Sequence, residues 1–314
     1  MCIRDRNGGR VSEARRKLVE ASIEKLGYQV NTLAKGMRMQ KTDYVVVILP
    51  NLINPYFALL LDALESELSA VGKQVLLCLS GDDAEREVAF MDMAKQNKVD
   101  GIIGVTYSKV EEERIENMAF VSIDRHYKSH IPCVAGDNWQ GGWLAAENLH
   151  KRGSTNLLCF MTMSSVDSEV RKRRVGFTEY CMEHDLSCNS VEMSEKQIVS
   201  VYESYGSRKL IHNMLRAYIS PSMGEHSIDG IFTSSDHLAT IVREELEEMG
   251  KRVPEDIQII GYDGLQFLNQ GKPIVSSIAQ PVHEIAKEAV RCLNELIANG
   301  KTEGNTKIPV SFQE

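Results

Sequence analysis

What most limits the fold of this chain is a series of short apolar runs in which hydrophobic and polar residues do not alternate: YVVVILP (44–50), QVLLCLS (74–80), GIIGV (101–105) and FVSID (120–124). A strand with one face in water alternates, so a run without alternation reads as a strand covered on both faces. Helix-length amphipathic segments at 55–71 and 84–97 lie between the first runs. Such strand–helix–strand alternation implies a parallel, doubly wound sheet with right-handed crossovers. The pattern then starts again with a helix at 139–151, NLLCFMT (156–162), a helix around 168–184, GIFTSS (230–235), a helix at 236–249 and IQIIGYD (257–263). VSSIAQ (275–280) and a last helix at 282–298 follow. Two such units in succession predict two α/β lobes.

Composition narrows the class. Hydrophobic residues make up 43% and charged residues 25% of the 314, values of a soluble globular protein. No apolar run approaches the ~18–20 residues a membrane span needs. The start MCIRDRNGGR lacks the apolar stretch of a secretory signal, so a cytoplasmic location is expected. The seven cysteines (2, 78, 133, 159, 181, 188 and 292) are odd in number and irregularly spaced, which argues against a disulfide framework. Cys181, His184 and Cys188 cluster, but without a second ligand pair, so no metal site is expected.

Charge is unevenly placed. Residues 1–41 hold ten Lys/Arg and four Asp/Glu, a balance of +6, which leaves −14 on the rest of a chain whose net charge is −8. A basic arm on an acidic body suits a protein whose small end meets phosphates, and a solvated basic helix would look the same. Ser12 is placed to cap a helix running through Leu18, Val19 and Ile23 and stopping at Gly27. A second helix-capable stretch, 31–39, has Leu33 and Met37 four apart but little core to bury into.

In open parallel sheets a ligand binds beyond the carboxyl ends of the strands. Residues just after the strands therefore nominate a site. After the first strand come Asn54, a good N-cap, and Pro55, a good first helical residue, with Tyr56 and Phe57 as aromatic walls. After the second come Asp82 and Asp83, and after the fourth Asp124 and Arg125. The second unit supplies Asp167, Arg173, Ser235, Asp236 and Asp263, with Gln280 at the crossing back. Carboxylates and a guanidinium around an aromatic face suit a sugar or polyol. The competing reading is that Asn, Asp and Ser after strands cap helices, and Asp236 is placed to do so.

Catalytic patterns are missing from the sequence. It has no G-x-G-x-x-G after the first strand, no G-x-x-x-x-G-K-[ST], no G-x-S-x-G and no H-E-x-x-H, and its eight histidines are scattered. Neither an enzyme nor a cofactor is expected, and no residue is expected to act as a catalytic group or a metal ligand.

The stretch VSEARRKLVEASIEKLGYQVNTLAKGMRMQKTDYVVVILPNLINPYF resembles the end of the headpiece, the hinge and the first core strand of lac/galactose-repressor family proteins. VDGII (99–103), IDR (123–125), GDN (136–138), RRVGF (173–177), SSD (234–236), RVPEDIQIIGYD (252–263) and IAQPVHEIAKEAV (278–290) extend the likeness over residues 7–314. The resemblance implies a homodimeric, DNA-binding transcriptional regulator with a helix-turn-helix headpiece. It also implies a hinge helix in the minor groove and a periplasmic-binding-protein-like core closed by a small-molecule effector. Met37 then stands where the family inserts an apolar wedge between base pairs, Ala34 lets two hinge helices approach, and Asn31 and Arg38 meet the backbone or groove edges. Asp124, Arg173 and Asp263 match positions that commonly bond the effector. Ser235 stands where many members have Asn, and Asp167 is at a variable position. Asn54, Tyr56, Phe57 and Gln280 match the aromatic corner and the crossover.

The segments MCIRDR and NGGRVS leave no room for the family's recognition helix, so this chain is expected to be a piece of a longer protein. The expected organisation is a leader at 1–10, a headpiece remnant and hinge at 11–42, a first lobe at 43–137 plus 281–303, and a second at 138–280 plus 304–314. A sugar is the expected effector, acting as inducer or corepressor, with operator DNA and a second copy of the chain as partners and no membrane. A periplasmic-type sugar-binding protein of a transporter would share this core and is the alternative.

Overall fold

The computed structural model describes residues 12–26, 42–81, 83–107, 115, 118–127, 131–163, 166–194, 197–198, 208–219, 227–266, 271, 273, 275–302 and 304–314. The hinge residues Asn31, Ala34, Met37 and Arg38 lie outside them. A first helix, α1 (Glu13–Leu26), has Glu13 in its first turn and Lys25 in its last, each favourable to the helix dipole.

Most of the apolar runs become inner strands of two six-stranded sheets, but QVLLCLS forms an edge strand with Cys78 alone buried, a correction to the expectation that it is covered on both faces. The first sheet contains β1 (Tyr44–Leu49), β2 (Gln74–Leu79), β3 (Gly101–Gly104), β4 (Phe120–Ile123), β5 (Cys133–Gly136) and β11 (Thr306–Ile308), in the order β11-β5-β4-β3-β1-β2 and parallel throughout. The second contains β6 (Asn156–Met163), β7 (Ser187–Ser194), β8 (Gly230–Thr233), β9 (Gln258–Asp263), β10 (Ser276–Ala279) and β12 (Ser311–Gln313). Its order is β12-β10-β9-β8-β6-β7, with only the β10–β12 pair antiparallel. Val45 to Leu49 are fully buried, which explains the missing alternation.

Helices cover both faces. In the first lobe, α2 (Pro55–Ala70) and α8 (Val282–Asn299) bury Leu60, Leu64, Ile285, Ala289 and Leu293 in one cluster with Val45, Val47 and Val121. On the other face α3 (Ala84–Gln96) buries Met91 and Ala94 against Val46, Ile48 and Phe120. In the second lobe, α4 (Asn138–Lys151) and α5 (Arg171–Glu183) cover one face with Ala145, Leu149 and Phe177. There α6 (Lys209–Ile219) and α7 (Asp236–Glu248) cover the other with Leu215, Leu238 and Val242.

The chain passes between lobes after β5, after β10 and between β11 and β12. The last crossing corrects the expected boundary at 303/304. Strand β11 pairs with β5 and Ile308 packs on the first core, whereas Val310 and Phe312 pack on the second.

Candidate functional site: a buried polar cluster between the lobes

The loop after β1 is held by two asparagines. Asn51 Oδ1 accepts from the Ile53 and Asn54 amides, and Asn54 Oδ1 accepts from the Tyr56 amide at 3.1 Å, which starts α2. The turn buries Tyr56 and Phe57 edge to face, ring centroids 5.6 Å apart. Both rings are then fixed as a wall.

Asn138, the first residue of α4 and fully buried, organises the charges. Its Nδ2 donates to Asp124 Oδ1 at 3.3 Å and to the Gly136 carbonyl at 3.0 Å. Its Oδ1 accepts from Arg173 Nε at 2.6 Å and from the Tyr262 hydroxyl at 3.5 Å. Arg173 also donates through Nη1 to the Ser234 carbonyl at 2.7 Å, and its guanidinium lies 3.5 Å above the Tyr262 ring. Such stacking leaves an arginine charged while out of water. One asparagine thus ties a first-lobe carboxylate to a second-lobe guanidinium.

Asp124 and Asp263 both take positive φ, 60° and 116°, a region that strains a residue with a side chain. Each closes its strand with its carboxylate in the cleft. Asp263 Oδ1 accepts from Gln280 Nε2 at 2.9 Å. Asp263 Oδ2, Gln280 Oε1 and the Tyr56 hydroxyl are buried with no hydrogen-bond partner among the described residues. Buried polar atoms are normally satisfied, so these three are the candidates for contact with a ligand.

Burial sets the electrostatics. It pushes Asp124 up to about 6 against the opposing pull of Arg173 and the Asn138 amide. It lifts Asp263 well above the carboxylate range, with the Asp236 and Asp124 charges adding to the rise and Arg173 and Gln280 opposing it. Tyr56 is raised by burial first and then by Asp124 and Asp263, which places all three in one electrostatic environment.

Other candidates from the sequence go elsewhere. Asp83 is exposed, its carboxylate accepting from the Glu85 and Arg86 amides as the cap of α3. Asp167 is exposed. Ser235, not Asp236, caps α7, accepting from the Leu238 amide at 3.1 Å. Asp236 is buried one position further on, where Ser277 Oγ and the Leu265 amide donate to it at 2.6 and 2.8 Å. Burial raises it to about 7. It braces β10 and the loop after β9, a structural task. Arg125 packs over Tyr127 and donates to Thr106 Oγ1.

Sequence reasoning did not nominate Asn138, Tyr262 or Glu169. Asn138 was visible in the GDN triplet but follows a strand, CVAG, too short and small to stand out. Tyr262 sits inside an apolar run and reads as core. Of the Cys181, His184 and Cys188 cluster, at which no metal site is expected, His184 Nδ1 lies 2.9 Å from the Tyr180 carbonyl and its ring stacks on Tyr180. Among the described residues His212, Glu245 and Glu248 could offer three ligand atoms within 4.8 Å of one another, with His212 Nδ1 and Glu245 already paired at 3.0 Å. No described helix is long and apolar enough to cross a membrane.

Residues 146–312 match the model of a periplasmic binding protein-like domain. The sucrose operon repressor of Pediococcus pentosaceus is 31% identical over 309 residues, 98% of this chain and 91% of that protein. A periplasmic binding protein/LacI transcriptional regulator from Alkaliphilus metalliredigens, solved with D-xylulofuranose, superposes with a TM-score of 0.73 at 26% identity, over 87% of this chain and 97% of its own. The lac repressor dimer bound to operator and the anti-inducer ONPF has the same fold, with a TM-score of 0.78 at 20% identity over 98% of this chain and 90% of its own.

Proposed function

The chain belongs to the lac/galactose-repressor family of transcriptional regulators, and on that premise we propose that it is a repressor whose core binds a sugar between its lobes and couples that binding to operator affinity. The observation that carries the sugar reading is the group of unpartnered buried atoms. Tyr56 Oη comes from the first lobe, and Asp263 Oδ2 and Gln280 Oε1 from the second and its crossing strand. All can accept from hydroxyls, and Arg173 stands beside them as a fixed cation. A polyol laid on the Tyr56 and Phe57 rings would satisfy the three atoms and join the lobes.

A sugar that contacts both lobes favours one closure over the others. A coupling of only ~1–3 kcal/mol between the cleft and the DNA-binding end suffices for regulation. The protein acts as a homodimer in the cytoplasm. The 31–39 hinge, with Met37 as wedge, Ala34 at the helix pair and Asn31 and Arg38 at the DNA, is the reading for the other end of that coupling. The transporter-type alternative shares the core, but likeness to an operon repressor along 98% of the chain, including its basic N-terminal part, favours the regulator. The role is one of binding rather than catalysis.

Isothermal titration of the chain with a panel of sugars and nucleosides tests the reading. At least one sugar should give a saturable isotherm that Asp263→Ala weakens tenfold or more. Binding by nucleosides alone, or a sugar affinity indifferent to Asp263→Ala, would overturn it.

A further inference from the structure

Glu169 lies at the edge of the cleft, two residues before α5, and only 1% of its side chain is exposed. Its amide donates to the Asp124 carbonyl at 2.8 Å, which holds the second lobe against the first. Its Oε1 takes both His126 from the first lobe and Lys172 from the second, while its Oε2 has no hydrogen-bond partner among the described residues. His126 and Lys172 are about 40% exposed, so they stand at the rim with their polar ends turned onto a buried carboxylate.

The surroundings are hostile to an anion. Arg173, the cation inside the cleft, is flanked by Asp124 and Asp263 and already donates to Asn138 and Ser234. The helix starts nearby give no free ring of amides. Asn54 caps α2, Ser235 caps α7, and the Arg171, Lys172 and Arg173 amides donate to the Ser168, Glu169 and Val170 carbonyls. A phosphate ester carries about −1.5 to −2 at neutral pH. Here it would meet the charges of Asp124 and Glu169 before any unengaged cation described in the cleft.

We propose that the effector is an uncharged, unphosphorylated sugar or polyol, and that Glu169 sets this specificity by occupying Lys172 and His126 and placing a negative charge beside Asp124. The inference rests on the sugar reading above and narrows it. Glu169 acts on an incoming phosphate by charge and on the two rim cations by contact. Its ionised form is favoured: burial opposes the charge, but the bonds from Lys172 and His126 outweigh that and hold the carboxyl below the usual range.

The test is titration calorimetry of the whole chain with ribose, fructose and glucose, each beside its terminal phosphate ester. Whichever sugar binds, its ester should bind at least tenfold more weakly. Glu169→Gln should narrow that ratio about tenfold, Glu169→Asp should restore most of it, and Lys172→Gln added to Glu169→Gln should remove the gained phosphate affinity. A purely structural role would weaken sugar and ester alike and leave the ratio fixed, which would overturn the assignment of Glu169. An ester bound as tightly as its sugar, or more tightly, in the unaltered chain would overturn the ligand class. Binding of no sugar in either form would bring down the sugar reading, and this inference with it.

Discussion

In the first lobe the turn after β1 brings two rings, Tyr56 and Phe57, to the cleft; in the second, α5 and the ends of β8 and β9 bring a guanidinium, a buried carboxylate and the backbone carbonyl that anchors the guanidinium. The sheets behind them are near-copies in strand number and order. Their cleft residues nevertheless answer to different physics. Arg173 is held by Asn138, Ser234 and Tyr262, so it is part of the fold as much as of the site. The Tyr56 hydroxyl is held by nothing among the described residues. Second-lobe chemistry is thus entangled with stability, while the Tyr56 hydroxyl, though not the buried ring that carries it, can be removed at little cost to the apo protein.

The sharpest way to break that comparison is Arg173→Met, which leaves the buried Asp124 without the cation beside it and removes the anchor of Asn138 and the Ser234 carbonyl. It should cost about 3–5 kcal/mol in urea unfolding. A cost under 1 kcal/mol would show that the cluster is not structural.

Next comes the crossing of α4 and α5, which positions Arg173. A Cβ on Gly142 would stand 1.8 Å from the Arg173 carbonyl oxygen, and one on Gly176 would stand 2.0 Å from that of Trp139. A Cβ on Gly104 in the first lobe would meet the tip of the Phe120 ring at 3.1 Å. Backbone cannot yield as a ring can. Gly142→Ala is expected to cost about 3 kcal/mol and Gly104→Ala about 1 kcal/mol, read from denaturant midpoints. Equal costs would remove the asymmetry.

A comparable effect is read through pH at Asp124. Asp124 titrates near 6 in the folded protein, above the ~3.9 of an unfolded carboxyl, so the folded state keeps its proton longer. Its favourable contribution is present below about pH 4 and is lost as pH rises through about 6, on the order of 3 kcal/mol. Carboxylates held low, such as Glu169 and Asp100, slope the other way in both wild type and variant. The difference between wild type and Asp124→Asn therefore isolates the Asp124 contribution. Wild-type stability relative to the variant should fall between pH 4 and pH 7, and a flat difference would contradict the account.

The inner strands were legible because burial on both faces leaves an unmistakable apolar run, as at Val45 to Leu49. Strand β7, SCNSVEMS, was not, because it lies at a sheet edge with most of its side chains in water. Strands β11 and β12 span three residues each, too few for any pattern. In the candidate site, the rule that ligands sit beyond strand ends nominates Asp124, Arg173, Asp263, Tyr56 and Phe57, and the structure brings them together. The same rule over-reached at Asp83, where the carboxylate is spent on a helix cap. It also misassigned Asp236, because a cap and its successor differ by one residue and only the backbone decides between them. Glu169 left no trace in the sequence, since its importance comes from two cations that arrive from different lobes.

The central claim is that a ligand hydroxyl completes a cleft whose buried polar atoms are left unpaired. Titration of Tyr56→Phe with the sugar that the wild-type chain binds tests this most directly. The substitution removes only an unpartnered hydroxyl, so the apo protein should be no less stable, while sugar affinity should fall about tenfold, the ~1.4 kcal/mol of one hydrogen bond. An affinity unchanged within twofold would contradict the account.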